Sequence, residues 1–400
     1  MTSNDSSVQH ASHSDWNPET VDEAAECLRS AAHDRATIDI AGAGTAQNWG
    51  GNTDPNTVIH TGRIDSILSY EPADMTIQVG AGMRVADLQA VVAEHNQRLA
   101  IDAARIHRGA TVGGLLATAD QGPSQLAFGG PRDLVIGAGL AFVDGHVARS
   151  GGNVIKNVAG YDLARLVSGS LGTLALITHA TFRLHPIPAA TGTMTMELDI
   201  DDATACARRI AEAALNPVAA EWINGLLLIR FEGTGNGVQE RLDAAMRIAD
   251  RPCDAFTADE AAQVWLRHAL GKPDSGEDAC TTEMRALARP TDVPALVQDA
   301  DRIGSEQQAT CSVAASVLTG RVDLTVDAPV LSRHADVISQ WRQSVERLGG
   351  STVLRDHPRE LNDMVAAWGS PPSAVAAMRA IKTAYDPNHL LGRGRFHPWF

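Results

Sequence analysis

The sequence predicts an α+β protein with two domains. Its 400 residues are more than one hydrophobic core usually organises, and a hydrophobic content of 44% is enough for two. Strand-like and helix-like patterns are interleaved along the whole chain. The stretch 109–184 holds 14 of the 35 glycines. Because glycine weakens regular strands and helices, this density favours a backbone close to an extended, phosphate-bearing ligand over a series of ordinary turns.

Local signals place the first elements. Residues 1–16 are rich in Ser, Asp, Asn and His, a composition typical of a disordered tail. Thr20 and Glu23 have the spacing of a capping box, which predicts that a helix begins there. A strand is predicted next, at 37–40. The predicted apolar face of the helix comprises Val21, Ala24, Ala25, Leu28 and Ala32.

The strand at 37–40 runs into the loop 41–48, which reads AGAGTAQN. A strand followed by a glycine loop is typical of dinucleotide sites, but Gln47 occupies the third glycine position here. Residues 49–55 cannot form the helix whose N-terminus such sites use. The loop is therefore interpreted as a nest of backbone N–H groups that binds phosphate, with Thr45 and Asn48 as side-chain donors.

The remaining elements of the first half follow from alternation, helical spacing and turn residues. Ala110–Gly114 is interpreted as a second phosphate nest. Strands are predicted at 57–60, 66–71, 74–79 and 173–184, helices at 85–96 and 161–167, a hairpin at 134–147 and a tight loop at 169–172.

The second half shows the same mixture, which fits an α+β domain with an antiparallel sheet. Strands are predicted at 193–198, 226–231, 311–318 and 322–326. Helices are predicted at 203–214, 237–249, 259–270 and 331–348.

Lysine is rare in this chain, which makes Lys156 informative. Only three of the 33 basic residues are lysines. A compact ammonium in the segment KNVAGYDL, residues 156–163, suits a phosphate or an anionic cofactor ring. A solvated surface lysine is the alternative, since exposure is the usual state of this residue.

Six motifs in a fixed order now point to a family. The strand and AGAGT loop, QVGAGM, ATVGG, FGGPRD, KNVAGYDLARL and GSLGTLALIT resemble the FAD-binding domain of the vanillyl-alcohol-oxidase or PCMH type. The segment KNVAGYDL is most similar to the FAD-binding subunits of bacterial glycolate oxidases. Near the end, IKTAYDPNHLL at 381–391 resembles the lysine-x-x-x-Asp-Pro ending of the family.

The resemblance implies a PCMH-type FAD-binding domain of two subdomains at 17–188, after a disordered tail at 1–16. An α+β cap or substrate domain with an antiparallel sheet follows at 189–370, and a C-terminal segment at 371–400 returns to the first domain. Together, the residue patterns and the resemblance make these residues candidates for cofactor binding: Ala41, Gly42, Ala43, Gly44, Thr45, Asn48, Ala110, Thr111, Gly113, Gly114, Lys156, Gly169, Ser170, Gly172, Thr173 and Ile177. Relatives with covalent flavin carry a histidine in the first loop, where this chain has Thr45 and Ala46, so FAD is expected to be noncovalent.

Composition limits the location and the partners. The net charge of −15 disfavours nucleic-acid binding, because phosphate backbones require basic surfaces. Five scattered cysteines without a C-x-x-C pair predict reduced core residues rather than a disulfide framework or a metal knot. The sequence has no apolar run of membrane-spanning length, and its N-terminus does not resemble a signal peptide. A cytoplasmic protein is expected, at most peripheral to the inner face of the membrane through partners.

Three functions remain open. The chain is expected to be an FAD-linked oxidase or dehydrogenase that oxidises a 2-hydroxy acid such as glycolate, alone or in a complex with a larger flavoprotein subunit and an iron–sulfur subunit. The alternatives are a non-catalytic FAD-carrying accessory subunit and a stand-alone oxidase or dehydrogenase of a sugar or lactone. The metal-binding histidine segment of hydroxy-acid relatives is missing from the sequence, so no metal is expected. No catalytic residue is assigned, and no arginine is singled out as the substrate ligand.

Overall fold

A computed structural model describes residues 14–152, 160–270 and 281–400. Up to residue 186 its strands are β1 (Ser14–Trp16), β2 (Ile38–Ala41), β3 (Thr57–His60), β4 (Ile67–Glu71), β5 (Thr76–Gly80), β6 (Gln97–Arg98), β7 (Val135–Ala141), β8 (Val147–Gly151), β9 (Leu176–Arg183) and β10 (His185–Pro186). The helices are α1 (Val21–His33), α2 (Val85–Ala93), α3 (Val112–Thr118), α4 (Gln125–Phe128), α5 (Pro131–Leu134) and α6 (Leu163–Val167), with 3-10 turns at Pro72–Asp74 and Ala104–Arg108.

The first helix begins where the capping box predicts. Thr20 Oγ1 accepts a hydrogen bond from the N–H of Glu23 (3.2 Å), and Glu23 Oε2 accepts one from the N–H of Glu19 (2.8 Å). These bonds satisfy two donors that the first turn leaves free. Residues 1–13 of the predicted disordered tail lie outside the described residues. The prediction is wrong for the last three residues of the tail, because Ser14–Trp16 pairs in parallel with β3.

The first half of the chain contains two main sheets. A three-stranded parallel sheet has the order β1-β3-β2, and a five-stranded antiparallel sheet has the order β4-β5-β9-β7-β8. The apolar face of α1 packs onto the parallel sheet through Leu28, against Ile38 and Ile59. A separate core joins α2 and α3 to the five-stranded sheet. The glycine-rich loops lie where these two layers meet.

The second half is built on one eight-stranded antiparallel sheet with the order β14-β11-β13-β12-β16-β17-β15-β18. Its strands are β11 (Ala190–Glu197), β12 (Ala219–Ile223), β13 (Leu226–Gly233), β14 (Asp254–Thr257), β15 (Thr281–Leu287), β16 (Thr310–Ser316), β17 (Arg321–Asp327) and β18 (Ser351–Asp356). The helices are α7 (Ile200–Glu212), α8 (Gly235–Ala249), α9 (Ala258–Leu270), α10 (Val293–Gln307), α11 (Leu331–Arg347) and, later, α12 (Val375–Tyr385), with 3-10 turns at Pro290–Asp292 and Arg359–Asp363.

The predicted α+β class and antiparallel sheet are therefore confirmed. Strands β12, β14, β15 and β18 and helix α10 have no counterpart in the sequence prediction. Strand β15 reads TTEMRAL, in which the apolar Met284 stands between two charged residues. The pattern alternates because one face of the sheet packs on helices and the other carries charged side chains. Among the residues that the structure describes, no helix is long and apolar enough to cross a bilayer.

The C-terminal segment lies beside β2. Ile38 forms a parallel bridge with Leu391, the N–H of Ile38 donates to the carbonyl of Leu390 (2.8 Å), and the N–H of Gly392 donates to the carbonyl of Ile38 (2.8 Å). Residues that are about 350 positions apart in the sequence are thus hydrogen-bonded neighbours.

Candidate functional site

A pocket with an empty volume of about 760 Å³ lies between the loop after β2, the start of α3 and the loop after α6. Nine of the sixteen predicted cofactor-binding residues line it: Gly42, Ala43, Gly44, Thr45, Thr111, Gly113, Gly114, Gly172 and Ile177. The fold therefore brings together the three glycine-containing segments that the sequence proposed as parts of one site.

Six predicted residues lie outside this lining: Ala41, Asn48, Ala110, Gly169, Ser170 and Thr173. Asn48 Nδ2 instead donates to Asp356 Oδ1 (3.3 Å), and Thr173 Oγ1 donates to the carbonyl of Ser170 (2.7 Å). Lys156 lies outside the described residues, so its proposed contact with FAD stays a prediction. Contacts between FAD and the six residues outside the lining also stay predictions.

The glycine loop after β2 uses its glycines in two ways. A Cβ on Gly42 would lie 2.1 Å from Thr111 Oγ1, so this glycine lets the loop approach the start of α3. Gly44 has φ +74 and lines the pocket, and a Cβ there would meet no protein atom within 4 Å. Gly44 thus provides a left-handed turn beside open space that a ligand can fill.

The segment Ala110–Gly114 differs from the predicted nest. Its amides already donate within the protein: Val112 to the carbonyl of Met83 (2.8 Å), Gly113 to the carbonyl of Ala81 (2.8 Å) and Gly114 to Thr111 Oγ1 (3.2 Å). Thr111 is the N-cap of α3, so the segment is the first turn of a helix. A Cβ on Gly113 would lie 2.8 Å from Ala81 Cβ. That glycine is required for packing on the turn after β5, and not to leave room for a ligand as the sequence suggested.

Sequence reasoning missed the two charged side chains of the pocket and its one side-chain amide: Asp39, Arg395 and Gln47. Asp39 could have been found, because a carboxylate in a short strand just before a glycine loop is unusual for a buried position. Arg395 gives no local signal, since it reaches the pocket from the C-terminal turn. The other unpredicted lining residues are Ile40, Ala46, Thr61, Ala117, Thr118, Leu171, Ala175 and Gly392.

A second pocket adjoins the first and shares Thr118 with it. Its empty volume is about 940 Å³. One wall comes from the first half of the chain through Gln121 and Gly130–Asp133, and the opposite wall comes from β15 and β18 of the eight-stranded sheet. Three tryptophans, Trp49, Trp368 and Trp399, also line it. The second pocket is thus a cleft between the two halves of the fold, with both apolar and cationic walls.

Two guanidinium groups line the second pocket, and within the described part of the chain only one of them pairs with carboxylates. Arg285 Nη1 donates to Asp120 Oδ1 (3.0 Å), and its Nε donates to Asp323 Oδ1 (2.6 Å). Arg132 is exposed on the rim and forms no ion pair with a carboxylate among the described residues. Arg132 is therefore the cation of this pocket that is available to an anionic ligand.

Asp120 connects the two halves beneath the second pocket. Its carboxylate is buried and accepts from Arg285 and from Arg355 Nη2 (2.9 Å), both on the charged face of the eight-stranded sheet. Burial alone would raise the pKa of Asp120, but Arg355 and Arg285 outweigh it and hold the pKa below its ordinary value.

Burial and the nearby Arg355 lower the pKa of Arg105 to about 10. The guanidinium carbons of Arg105 and Arg355 lie 5.1 and 4.5 Å from the centre of the Trp49 ring.

The first pocket fits FAD, the cofactor that the resemblance implies. Its backbone approach at Gly42 and its open left-handed turn at Gly44 provide a narrow cradle for an extended ligand. Ser170 Oγ is buried and has no hydrogen-bond partner among the described residues, although it lies next to the lining residue Leu171. Buried hydroxyls are usually hydrogen-bonded, so Ser170 provides a free polar group for a ligand near that wall.

FAD is expected to leave the protein intact when the chain is denatured. No described residue of the pocket lining is His, Cys or Tyr, and Thr45 and Ala46 occupy the loop positions at which covalent relatives carry histidine. After acid precipitation, the flavin absorbance should therefore appear in the supernatant. Flavin that stays with the precipitated polypeptide would contradict a noncovalent site.

The described part of the chain contains no group of three or more His, Cys, Asp and Glu side chains arranged to hold a metal ion. Two histidines that could be considered have other contacts. His334 is buried between Thr282 Oγ1 (3.0 Å) and the carbonyl of Ala328 (3.1 Å), and His357 lies between the carbonyls of Pro358 (2.9 Å) and Gly50 (3.1 Å). These histidines are part of the packing between elements.

Comparison with known proteins agrees with this geometry. Residues 16–151 match the family described as FAD binding domain. The chain is 32% identical over 176 residues to glycolate oxidase subunit GlcE of Escherichia coli, which covers 43% of this chain and 49% of that protein. It is 25% identical over 416 residues to glycolate oxidase subunit GlcD of Bacillus subtilis, with 94% and 87% covered. The match to the first relative thus spans about half of that protein's length.

A solved structure, alkyldihydroxyacetonephosphate synthase, has the same fold. It superposes with a TM-score of 0.71 at 15% identity and covers 94% of this chain and 76% of that chain. The family match over residues 16–151 confirms a predicted FAD-binding domain in that part of the chain, and with it the predicted cofactor, FAD.

Proposed function

We propose that this chain, which carries a PCMH-type FAD-binding domain, is an FAD-linked oxidoreductase that oxidises a small 2-hydroxy acid such as glycolate. The observation that carries the proposal is the second pocket, which adjoins the cofactor pocket at Thr118 and presents Arg132 without a carboxylate partner among the described residues. A cation beside a flavin site is what a substrate carboxylate requires. The names of the relatives, glycolate oxidase subunits, support the same substrate class.

The chain's own residues supply binding and orientation. FAD, when bound, would supply the two-electron acceptor for oxidation of the hydroxyl-bearing carbon to a carbonyl. The guanidinium of Arg132 would pair with the carboxylate, while Trp368 and Trp399 line the pocket and limit the water around the substrate. Arg285 is held by Asp120 and Asp323, so its positive charge stays fixed at the pocket wall.

Substitution of Arg132 by alanine is expected to weaken binding of a 2-hydroxy acid by about 10- to 100-fold, because a charge-assisted hydrogen bond is lost. The measurement is an anaerobic titration of the FAD-loaded protein with glycolate, D-lactate and D-2-hydroxyglutarate, followed by the loss of flavin absorbance. Arg393→Ala, an exposed arginine outside the second pocket, is the matched control.

The titration also separates the alternative functions. Reduction by a hydroxy acid in the isolated chain, weakened in Arg132→Ala alone, supports the proposal. Reduction by a sugar or lactone, titrated in the same way, would instead favour a stand-alone enzyme of that class. A flavin that none of these compounds reduces would favour an accessory subunit that works beside a larger flavoprotein subunit and an iron–sulfur subunit.

A further inference from the structure

We infer that Arg395, in the C-terminal turn, is a positioning residue that shapes the FAD pocket and neutralises a carboxylate that lines it. The inference concerns binding of FAD and does not depend on the proposed substrate. Arg395 is 6% exposed, and it is the only cationic side chain among the described residues that line the first pocket.

The guanidinium of Arg395 holds the glycine loop from the side. Its Nη1 donates to the carbonyl of Gln47 and, at 3.4 Å, to that of Trp49. Its Nη2 donates to Gln47 Oε1 (2.8 Å) and to Asp39 Oδ2 (3.0 Å). The planar fork thus joins the end of β2 to the far end of the loop, a geometry that an ammonium group cannot reproduce.

The backbone around Arg395 is held to the loop equally closely. The carbonyl of Arg395 accepts from the N–H of Gly51 (2.9 Å) and from Trp368 Nε1 (2.6 Å). A Cβ on Gly51 would lie 2.2 Å from the carbonyl oxygen of Gly394, so only glycine permits this approach. The C-terminal turn and the glycine loop therefore form one packed unit.

A buried lysine fixes the chain that leads to this turn. Lys382 Nζ donates to the carbonyls of Thr173 (2.8 Å) and Leu391 (2.8 Å) and to Asp386 Oδ2 (2.5 Å). The two oxygens of Asp386 accept from the N–H groups of Leu390 (3.0 Å) and Leu391 (2.8 Å). These contacts hold the segment before Arg395 against the loop after α6.

Arg395 affects FAD binding through the charge of Asp39. Asp39 is 6% exposed, lines the pocket, and otherwise accepts only from Thr53 Oγ1 (2.5 Å) among the described side chains. Without the guanidinium, this pocket would present an uncompensated carboxylate to a cofactor that carries an anionic diphosphate. Such like-charge repulsion is strong where water is excluded.

The test measures the Kd of the apoprotein for FAD by titration of flavin fluorescence. Arg395→Gln is expected to raise the Kd by about 10- to 100-fold, because several charge-assisted hydrogen bonds are lost. Arg395→Lys should recover only part of the loss. Arg393→Gln, an exposed arginine two residues away, should bind FAD as the wild type does.

A double variant separates the electrostatic role from a purely structural one. If repulsion by Asp39 contributes, Asp39→Asn/Arg395→Gln should bind FAD more tightly than Arg395→Gln alone. Circular dichroism and the Tm of each apoprotein identify variants that fail to fold. The double variant lacks the buried carboxylate charge, so it can be tested even if Arg395→Gln does not fold. Wild-type affinity in Arg395→Gln, or equal loss in Arg393→Gln, or no gain in the double variant would overturn the inference.

Discussion

Substitution of Gly42 by valine is expected to lower the affinity for FAD roughly 100-fold or more, the largest effect on cofactor binding at any single position considered. A Cβ at this position would lie 2.1 Å from Thr111 Oγ1 and 3.1 Å from Thr111 Cβ. Thr111 can move its hydroxyl only by giving up the cap that it forms with Gly114. The loop must therefore separate from α3, and overpacking of this kind costs about 1–3 kcal/mol in addition to the lost pocket shape.

The measurement is the FAD Kd together with the Tm of the apoprotein. Gly62→Val is the matched control, because a Cβ on Gly62 would meet nothing within 4 Å. A Gly42→Val protein that binds FAD normally would show that the loop does not need this close approach. Gly113→Val should behave differently, since its Cβ would collide with Ala81, and the expected result is lower stability of the fold.

Asp120→Asn is expected to lower the free energy of unfolding by about 3–5 kcal/mol, because it removes a buried negative charge that two guanidinium groups share. Arg285 and Arg355 both lose the charge of Asp120 in this variant and still pair with Asp323. Chemical denaturation at constant ionic strength measures the difference. Glu306→Gln is the control, since its pair with Arg302 is about half exposed and is worth less than about 1 kcal/mol. A loss as small as that of the control would contradict the buried network.

The same carboxylate gives a pH dependence with a definite sign. The pKa of Asp120 is held below its ordinary value in the folded protein, so the folded state favours the ionised form. This contribution to stability is complete above the pKa of an unfolded aspartate, about 4, and is lost as the pH falls through the lower folded value. Wild-type stability should therefore fall on acidification below about pH 4, and the fall should be shallower in Asp120→Asn.

Much of the cofactor site could be predicted because its signals are short-range. The loop AGAGTAQN and the segment ATVGG each identify themselves within a few residues, and both line the pocket. The prediction assigned the wrong physical reason at Gly113, however. A glycine that permits packing on Ala81 and one that admits a ligand look the same in a sequence, and only the neighbours in space distinguish them.

The sequence by itself determined the α+β class, the capped first helix, the glycine loops and their order, and through that order the cofactor. These features depend on capping, periodicity and turn chemistry, which act over a few residues. Only the tertiary structure decided which charges meet. Arg395 lies 348 positions from Gln47, and Asp120 lies 165 and 235 positions from Arg285 and Arg355. Ion pairs of this kind form only when burial of apolar faces elsewhere brings distant strands together, and no local pattern encodes their partners.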